Sequence, residues 1–329
     1  MSVMILGASG RLGRALWACR PRTLEVTALT HAELDVTDIQ SLESLVALAH
    51  PEVVINAAAW TDVSGAQIQE AAAHAVNAAA PGAMGRLFAR LGIRIVHFST
   101  DYVFSGEGRD AWDESCRPQP RATGVYGMTK FNGERLLEES GVFGSIVRVG
   151  WLHSGERDFV SAILSAAAEG RLLSVTRSQV GTPTSTEALA RWTWNALPEL
   201  TKPDRLGVVH YVEDGGWITR ADMAAYVLAV AEERAVRLDE LELARRFRSA
   251  RETMRTPESD DGFRPLNCRL SSLRKSEFPS TENWKLGVEK SVDNVFMDKM
   301  SLWFSGENCR LIFLAIHITK RYTFKKEKN

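Results

Sequence analysis

The chain has 329 residues, 45% hydrophobic and 25% charged, with a formal net charge of -1. That length suits one large domain or two smaller ones. The near-balanced charge gives no electrostatic grip on nucleic acid or on an anionic membrane. Four scattered cysteines without a C-x-x-C pair, and seven histidines without metal-ligand spacing, argue against a disulfide frame or a zinc site. They read as the reduced thiols of a cytoplasmic protein. The N-terminus enters a strand at once, with no secretory signal, and no apolar run is long enough to span a bilayer.

Ser2 to Leu6 is a short apolar strand. It runs into Gly7-Ala8-Ser9-Gly10-Arg11-Leu12-Gly13 and then an alanine-rich helix, Arg14 to Cys19. Glycines let a backbone turn tightly and approach a pyrophosphate, and the following helix N-terminus supplies amide donors. Strand, glycine turn and helix in that order point to a bound dinucleotide. A second strand, Leu24 to Leu29, ends in Thr30-His31, with no carboxylate for the ribose hydroxyls of NAD. Arg11 carries the planar fork that meets a 2′-phosphate, which favours NADPH over NADH. The alternative for Arg11 is a solvent-facing charge. Asp35-Val36-Thr37-Asp38 caps the next helix, and Asp35 is placed to face the adenine.

Strand Glu52 to Ile55 leads into Asn56-Ala57-Ala58-Ala59, where small residues let a cofactor lie close to the strand end. A helix, Ala71 to Leu91, contains Asn77. Strand Arg94 to Phe98 delivers Ser99-Thr100-Asp101-Tyr102 to the same edge. The segment Ser105 to Thr123 is long for a connection and reads as a functional lid. Helix Tyr126 to Ser140 carries Tyr126 and Lys130 one turn apart on one face. An isolated pair of this kind is usually a core tyrosine and a solvated lysine. Behind a glycine turn it becomes a proton relay, with the ammonium expected to lower the phenol pKa. Strand Ser145 to Val149 completes an alternation typical of a doubly wound parallel sheet, the Rossmann arrangement.

The second half is mixed. Helices Phe159 to Glu169 and Thr186 to Leu197, a strand Gly207 to Val212 and a helix through Ala235 suit a smaller α+β substrate lobe. Trp192 and Trp194 do not share a helix face, so one is expected in the core and the other at a contact. Arg245 to Arg255 reads as a solvated charge run. The expected division is a Rossmann domain over 1–152, a substrate lobe over 153–296 interleaved in part with the sheet, and an atypical tail over 297–329. In the tail, Leu311 to Ile316 is an apolar strand-like run and Lys320 to Lys328 a basic end.

The glycine turn, Asn-Ala-Ala-Ala, Ser-Thr-Asp-Tyr-Val-Phe and Tyr-Gly-x-Thr-Lys, in this order, resemble an extended short-chain dehydrogenase/reductase. The likeness is greatest to the dTDP-4-dehydrorhamnose reductase family, from Met1 to about Phe296. Arg148 to Trp151, Gln179 to Thr184 and Arg264-Pro265 resemble further segments of that family. The resemblance implies a catalytic trio of Thr100, Tyr126 and Lys130. It implies cofactor contacts at Gly7, Gly10, Arg11, Leu12, Gly13, Asp35, Val36, Ala57, Ala58, Ala59, Asn77, Tyr126 and Lys130. It implies substrate contacts at Thr100, Asp101, Tyr102, Trp151, Gln179, Thr184 and Arg264, with a nucleotide sugar as substrate.

Departures from the family pattern are Arg11 for glutamine, Ser64 and Gln67 for two carboxylates, Ser105 for aspartate, and Leu270-Ser271 for Leu-Asp. Some members of the resembled family use magnesium (Mg2+) at a dimer contact, and no carboxylate cluster here matches one. A homodimer therefore stays open. A dehydratase is disfavoured because Asp101 is followed by Tyr102 where a glutamate is expected. The chain is also similar to the methionine adenosyltransferase beta subunit, a regulator that works by binding a partner protein.

Overall fold

The computed structural model describes residues 1–303 except 109, 123, 203–205, 259, 260, 278 and 281. The apolar run at 311–316 and the basic end at 320–328 lie outside the described residues.

In chain order the elements begin β1 (Ser2–Leu6), α1 (Arg11–Ala18), β2 (Glu25–Leu29), α2 (Ile39–Ala49) and β3 (Val53–Asn56). Two short helices, α3 (Val63–Ile68) and α4 (Glu70–His74), lead into a π-helical turn, Ala75–Ala79, and α5 (Ala80–Leu91). Then come β4 (Arg94–Thr100), a 3-10 turn Asp101–Val103, α6 (Val125–Glu139), β5 (Gly144–Val149) and β6 (Trp151–His153). The second half contains α7 (Phe159–Ala168), β7 (Val180–Gly181), β8 (Pro183–Ser185), α8 (Thr186–Leu200) and β9 (Leu206–Tyr211). It ends with β10 (Ile218–Thr219), α9 (Arg220–Arg237), α10 (Leu241–Thr253), β11 (Asn267–Cys268) and α11 (Trp284–Trp303).

The six-stranded sheet has the order β2-β1-β3-β4-β5-β9 and all its pairings are parallel. Side chains alternate across a strand, so β1 sends Val3 and Ile5 to one core and Met4 and Leu6 to the other. Both faces are covered, which is why the central strands read as unbroken apolar runs. The chain leaves β1 in opposite directions toward β2 and β3. That reversal opens a crevice at the carboxyl ends of the strands.

Contacts divide the chain into two units. The first comprises Met1–Ser154, Thr176–Arg220 and Glu258–Gly287. The second comprises Gly155–Val175, Ala221–Pro257 and the chain from Val288 onward. The strand read near residue 207 therefore sits in the large sheet, paired along β5, and the other short strands of the second half also fall in the first unit. The second unit is helical. Asp158 caps α7 through a reciprocal bond with Ser161, and Phe247 packs 5.9 Å from Phe296. Its arginines pair at the surface, Arg248 and Arg251 with Glu232.

Two expectations change in the first unit. Trp192 and Trp194 are both buried, one against Tyr211 and the other donating to the Leu16 carbonyl. α8 is covered on both sides, so opposite faces are both core. The connection after β4 is tied down at Trp112. Trp112 stacks on Phe104, exchanges backbone bonds with Arg269 and Ser271, and donates its indole N–H to Asn267. The connection read as a functional lid is thus anchored at Trp112. Among the described residues no helix is long and apolar enough to cross a membrane.

Candidate active site

Three strand ends and one helix meet in the crevice. At the end of β1, Gly7 has φ +77 and a Cβ there would lie 2.7 Å from Ala58. A methyl on Gly13 would collide with the Gly7 carbonyl. The turn is thus packed backbone on backbone, and only glycine fits at either position. Gly10 caps α1 without a side chain, which leaves the first-turn amides facing outward. This is the cradle a pyrophosphate needs.

Beside it is a cavity of about 240 Å³ lined by Gly7, Gly10, Asp35, Val36, Ala57, Ala58 and Ala59. All seven were expected at the cofactor. Ser9, His31, Leu34, Trp60 and Val76 also line it and were missed. His31 had a signal, since it closes the second strand.

Several expected roles need correction. Leu12 is a core side chain, so only its amide is available. Asp35 binds the amide and hydroxyl of Thr37, and the helix cap is Asp38. A carboxylate does follow β2 a few residues on, but it is turned away from a ribose. Glu33 turns back onto the Thr30 amide and hydroxyl, at 2.8 and 2.7 Å. Asn77 accepts from the Trp60 amide and donates to the Trp60 carbonyl and the Thr129 hydroxyl. All of its amide is engaged, so it shapes the loop after β3 rather than reaching the cavity. The positive charge of Arg11 also acts on Tyr126, favouring its phenolate against the effect of burial.

Thr100 ends β4 and caps the 3-10 turn, accepting from the Tyr102 amide and donating to Asp101 at 2.8 Å. Tyr126 opens α6, its ring 5.6 Å from that of Tyr102. Burial pushes the Tyr126 phenol up to about 12, against the pull of the Thr100 hydroxyl. The expected lowering by Lys130 is absent. Lys130 is 2% exposed and points inward, donating to the Phe98 carbonyl at 2.7 Å and meeting His97 Nε2 at 3.2 Å. Burial lowers its own pKa to about 8. Burial also raises Asp101 to about 7.

Behind this shelf, Glu134 and Arg148 form a doubly bonded ion pair, each 3% exposed, and Arg148 also meets His210. The pair fixes α6 to β5.

The expected sugar residues surround a second cluster. Trp151 is 5% exposed, and the Arg220 guanidinium lies 3.6 Å over its ring. That face of the indole, expected to pack on a sugar, is covered by an arginine. Arg220 also acts on Tyr102, Cys268 and Asp101. It was missed because it opens a helix read as part of another lobe. Gln179 donates to the Pro265 carbonyl, and Arg264 binds Asp261 and the Ser64 hydroxyl. The buried hydroxyls of Ser99, Thr182 and Thr184 lack a protein partner. Among the described residues no group of three or more His, Cys, Asp or Glu is placed to hold a metal ion.

A doubly wound sheet that brings a glycine cradle, a threonine-ended strand and a Tyr-x-x-x-Lys helix to one edge defines a protein of the extended short-chain dehydrogenase/reductase fold. Residues 1–297 match the family model described as RmlD substrate binding domain, and the chain belongs to that family. It is 32% identical over 304 residues to the dTDP-4-dehydrorhamnose reductase of Salmonella typhimurium, covering 90% of this chain and 98% of that one. It is 36% identical over 230 residues to the Mycobacterium tuberculosis enzyme of the same name, covering 68% of this chain and 74% of that one. The crystal structure of a dTDP-4-dehydrorhamnose reductase from Clostridium acetobutylicum superimposes with a TM-score of 0.77 at 26% identity, covering 90% of this chain and 99% of that one.

Proposed function

We propose that this protein is an NADPH-dependent reductase of the cytoplasm that reduces the C4 keto group of a dTDP-4-keto-6-deoxy sugar to give dTDP-L-rhamnose. What supports the reading is that Thr100, whose hydroxyl acts on the Tyr126 phenol, ends β4 at the same carboxyl edge of the parallel sheet where Gly7 follows β1. The relatives' shared name supports the sugar.

The residues fit the cofactor. The turn from Gly7 to Gly13 would hold the pyrophosphate, with the small residues Ala57 to Ala59 against the ring systems. Asp35 and Glu33 are both turned onto their own backbone, and His31 lines the cavity, a set that favours a 2′-phosphate over free ribose hydroxyls. When bound, NADPH supplies the hydride. Tyr126 gives its proton to the oxygen developing charge at C4. A phenol held near 12 is fully protonated at neutral pH, so the proton is always there to give. Thr100 hydrogen-bonds the same oxygen, and Lys130, one turn on, would serve the tyrosine once released from the Phe98 carbonyl. Asp101, Tyr102, Gln179 and the buried threonine hydroxyls form the polar wall for the sugar.

The test is oxidation of NADPH and of NADH by the full chain with dTDP-4-dehydrorhamnose, beside Tyr126→Phe. Turnover with NADPH that is lost in the variant is expected. Cofactor binding without turnover would overturn the reading in favour of a regulatory subunit that acts on a partner protein.

A further inference from the structure

Behind the Tyr126 helix three buried polar side chains are joined end to end. Asn56 closes β3, His97 lies in β4, and Lys130 comes down from α6; they are 1%, 0% and 2% exposed. Asn56 Oδ1 accepts the Ala58 amide at 3.1 Å, which sets the orientation of the carboxamide. The atom facing His97 Nδ1, at 3.1 Å, is therefore Nδ2. A carboxamide nitrogen only donates, so Nδ1 must accept. A neutral imidazole has one proton, which then sits on Nε2. Nε2–H faces Lys130 Nζ at 3.2 Å, while Nζ donates to the Phe98 carbonyl.

An ammonium group has three donors and no lone pair. Set against Nε2–H it would put donor against donor. A free amine has a lone pair, and with it every link in the chain closes. A doubly protonated imidazole is no escape, because it would face Asn56 Nδ2 with a second donor. Burial in any case holds His97 well below its ordinary value.

We infer that Asn56 and His97 are positioning residues that lock Lys130 inward as a free amine, and that protonation of Lys130 breaks its bond to His97 and frees it to serve Tyr126. The lowered titration of Lys130, near 8, brings this switch close to neutral pH. The charged groups around it are few. Glu134, one turn further on α6, opposes the lowering, and its carboxylate is held by Arg148 from β5. From β4 the facing group is His97. The structure thus corresponds to the locked, alkaline form. Its catalytic meaning rests on the reading of Tyr126 and Lys130 given above, but its chemistry does not.

Nuclear magnetic resonance of the full chain, with neither cofactor nor sugar, tests it. The 15N shifts of His97, assigned through cross-peaks to Asn56, are expected to report a proton on Nε2. Asn56→Asp keeps the acceptor for Ala58 but turns the donor into an acceptor. It is expected to move the His97 proton to Nδ1, make Nε2 an acceptor, and raise the Lys130 midpoint by about one pH unit or more. In Asn56→Asp/His97→Phe that rise should vanish. A wild-type proton on Nδ1, or a rise that survives without His97, would overturn the relay. The measurement stands even if the reductase assay fails, so the two failures are distinguishable.

Discussion

Gly7 to Gly13 and Thr100 to Lys130 reach the same edge of the sheet and are made of different materials. The first is all backbone. It has two positions where a single methyl would strike a carbonyl or a Cα. The second is a set of ionisable groups, the buried Asp101, Lys130, His97 and Glu134 and the half-buried Tyr126, each displaced or paired by its surroundings. Binding a constant group, a pyrophosphate, needs only shape and fixed amide dipoles. Moving a proton needs groups whose charge can change. The glycine turn should therefore be sensitive to volume and blind to pH, and the shelf the reverse.

Tyr126→Phe breaks the shelf without touching the turn. Turnover should fall by about 10²- to 10⁴-fold, with NADPH binding, read by fluorescence, unchanged. An equal loss of binding would mean that the two regions are not separable. Glu134→Ala strands the Arg148 charge under α6, and a loss of about 3–5 kcal/mol in denaturant-measured stability is expected. The double variant with Arg148→Met should recover much of it. Gly13→Ala attacks the turn. Its methyl has backbone on the far side, so a cost of about 1–3 kcal/mol and weaker cofactor binding are expected, equal at pH 6 and pH 9.

The smallest effect concerns Glu213, which accepts the Ser185 amide at 2.7 Å and which burial raises to about 8. A carboxyl raised on folding is stripped of its proton first in the unfolded chain, so stability falls as pH climbs from about 4.5 to about 8. Glu213→Gln keeps the acceptor and cannot ionise. Its Tm advantage over wild type should grow across that window and stay flat outside it. A constant difference would show that Glu213 keeps its ordinary pKa.

Much of the turn was readable in advance because its logic is local. Gly7, Gly10 and Gly13 sit between an apolar run and a helix within a dozen residues, and the backbone needs nothing from elsewhere. Tyr126 and Lys130 were readable for the same reason, being one helical turn apart. What they do to each other was not. The amine is drawn away by His97 and Phe98, residues some thirty positions earlier that only the pairing of β4 beside α6 brings near. Arg220 over Trp151 and Arg264 on Ser64 are likewise meetings of distant segments. β9 was recognised as a strand, yet its membership of the large sheet depends on α8 folding back over α1. Glu33 reaches the strand end only because its side chain returns from three residues on, which the linear order does not display.

The π-helical turn at Ala75–Ala79 has a consequence of its own. Such a turn is an ordinary helix with one residue too many. Deleting one alanine there would restore regular winding, with the two flanks still in phase, and would change which residue occupies each place in the turn. Asn77 would swing away from Trp60, and the loop after β3 would lose its clasp. The cofactor wall thus depends on a count of residues at this turn.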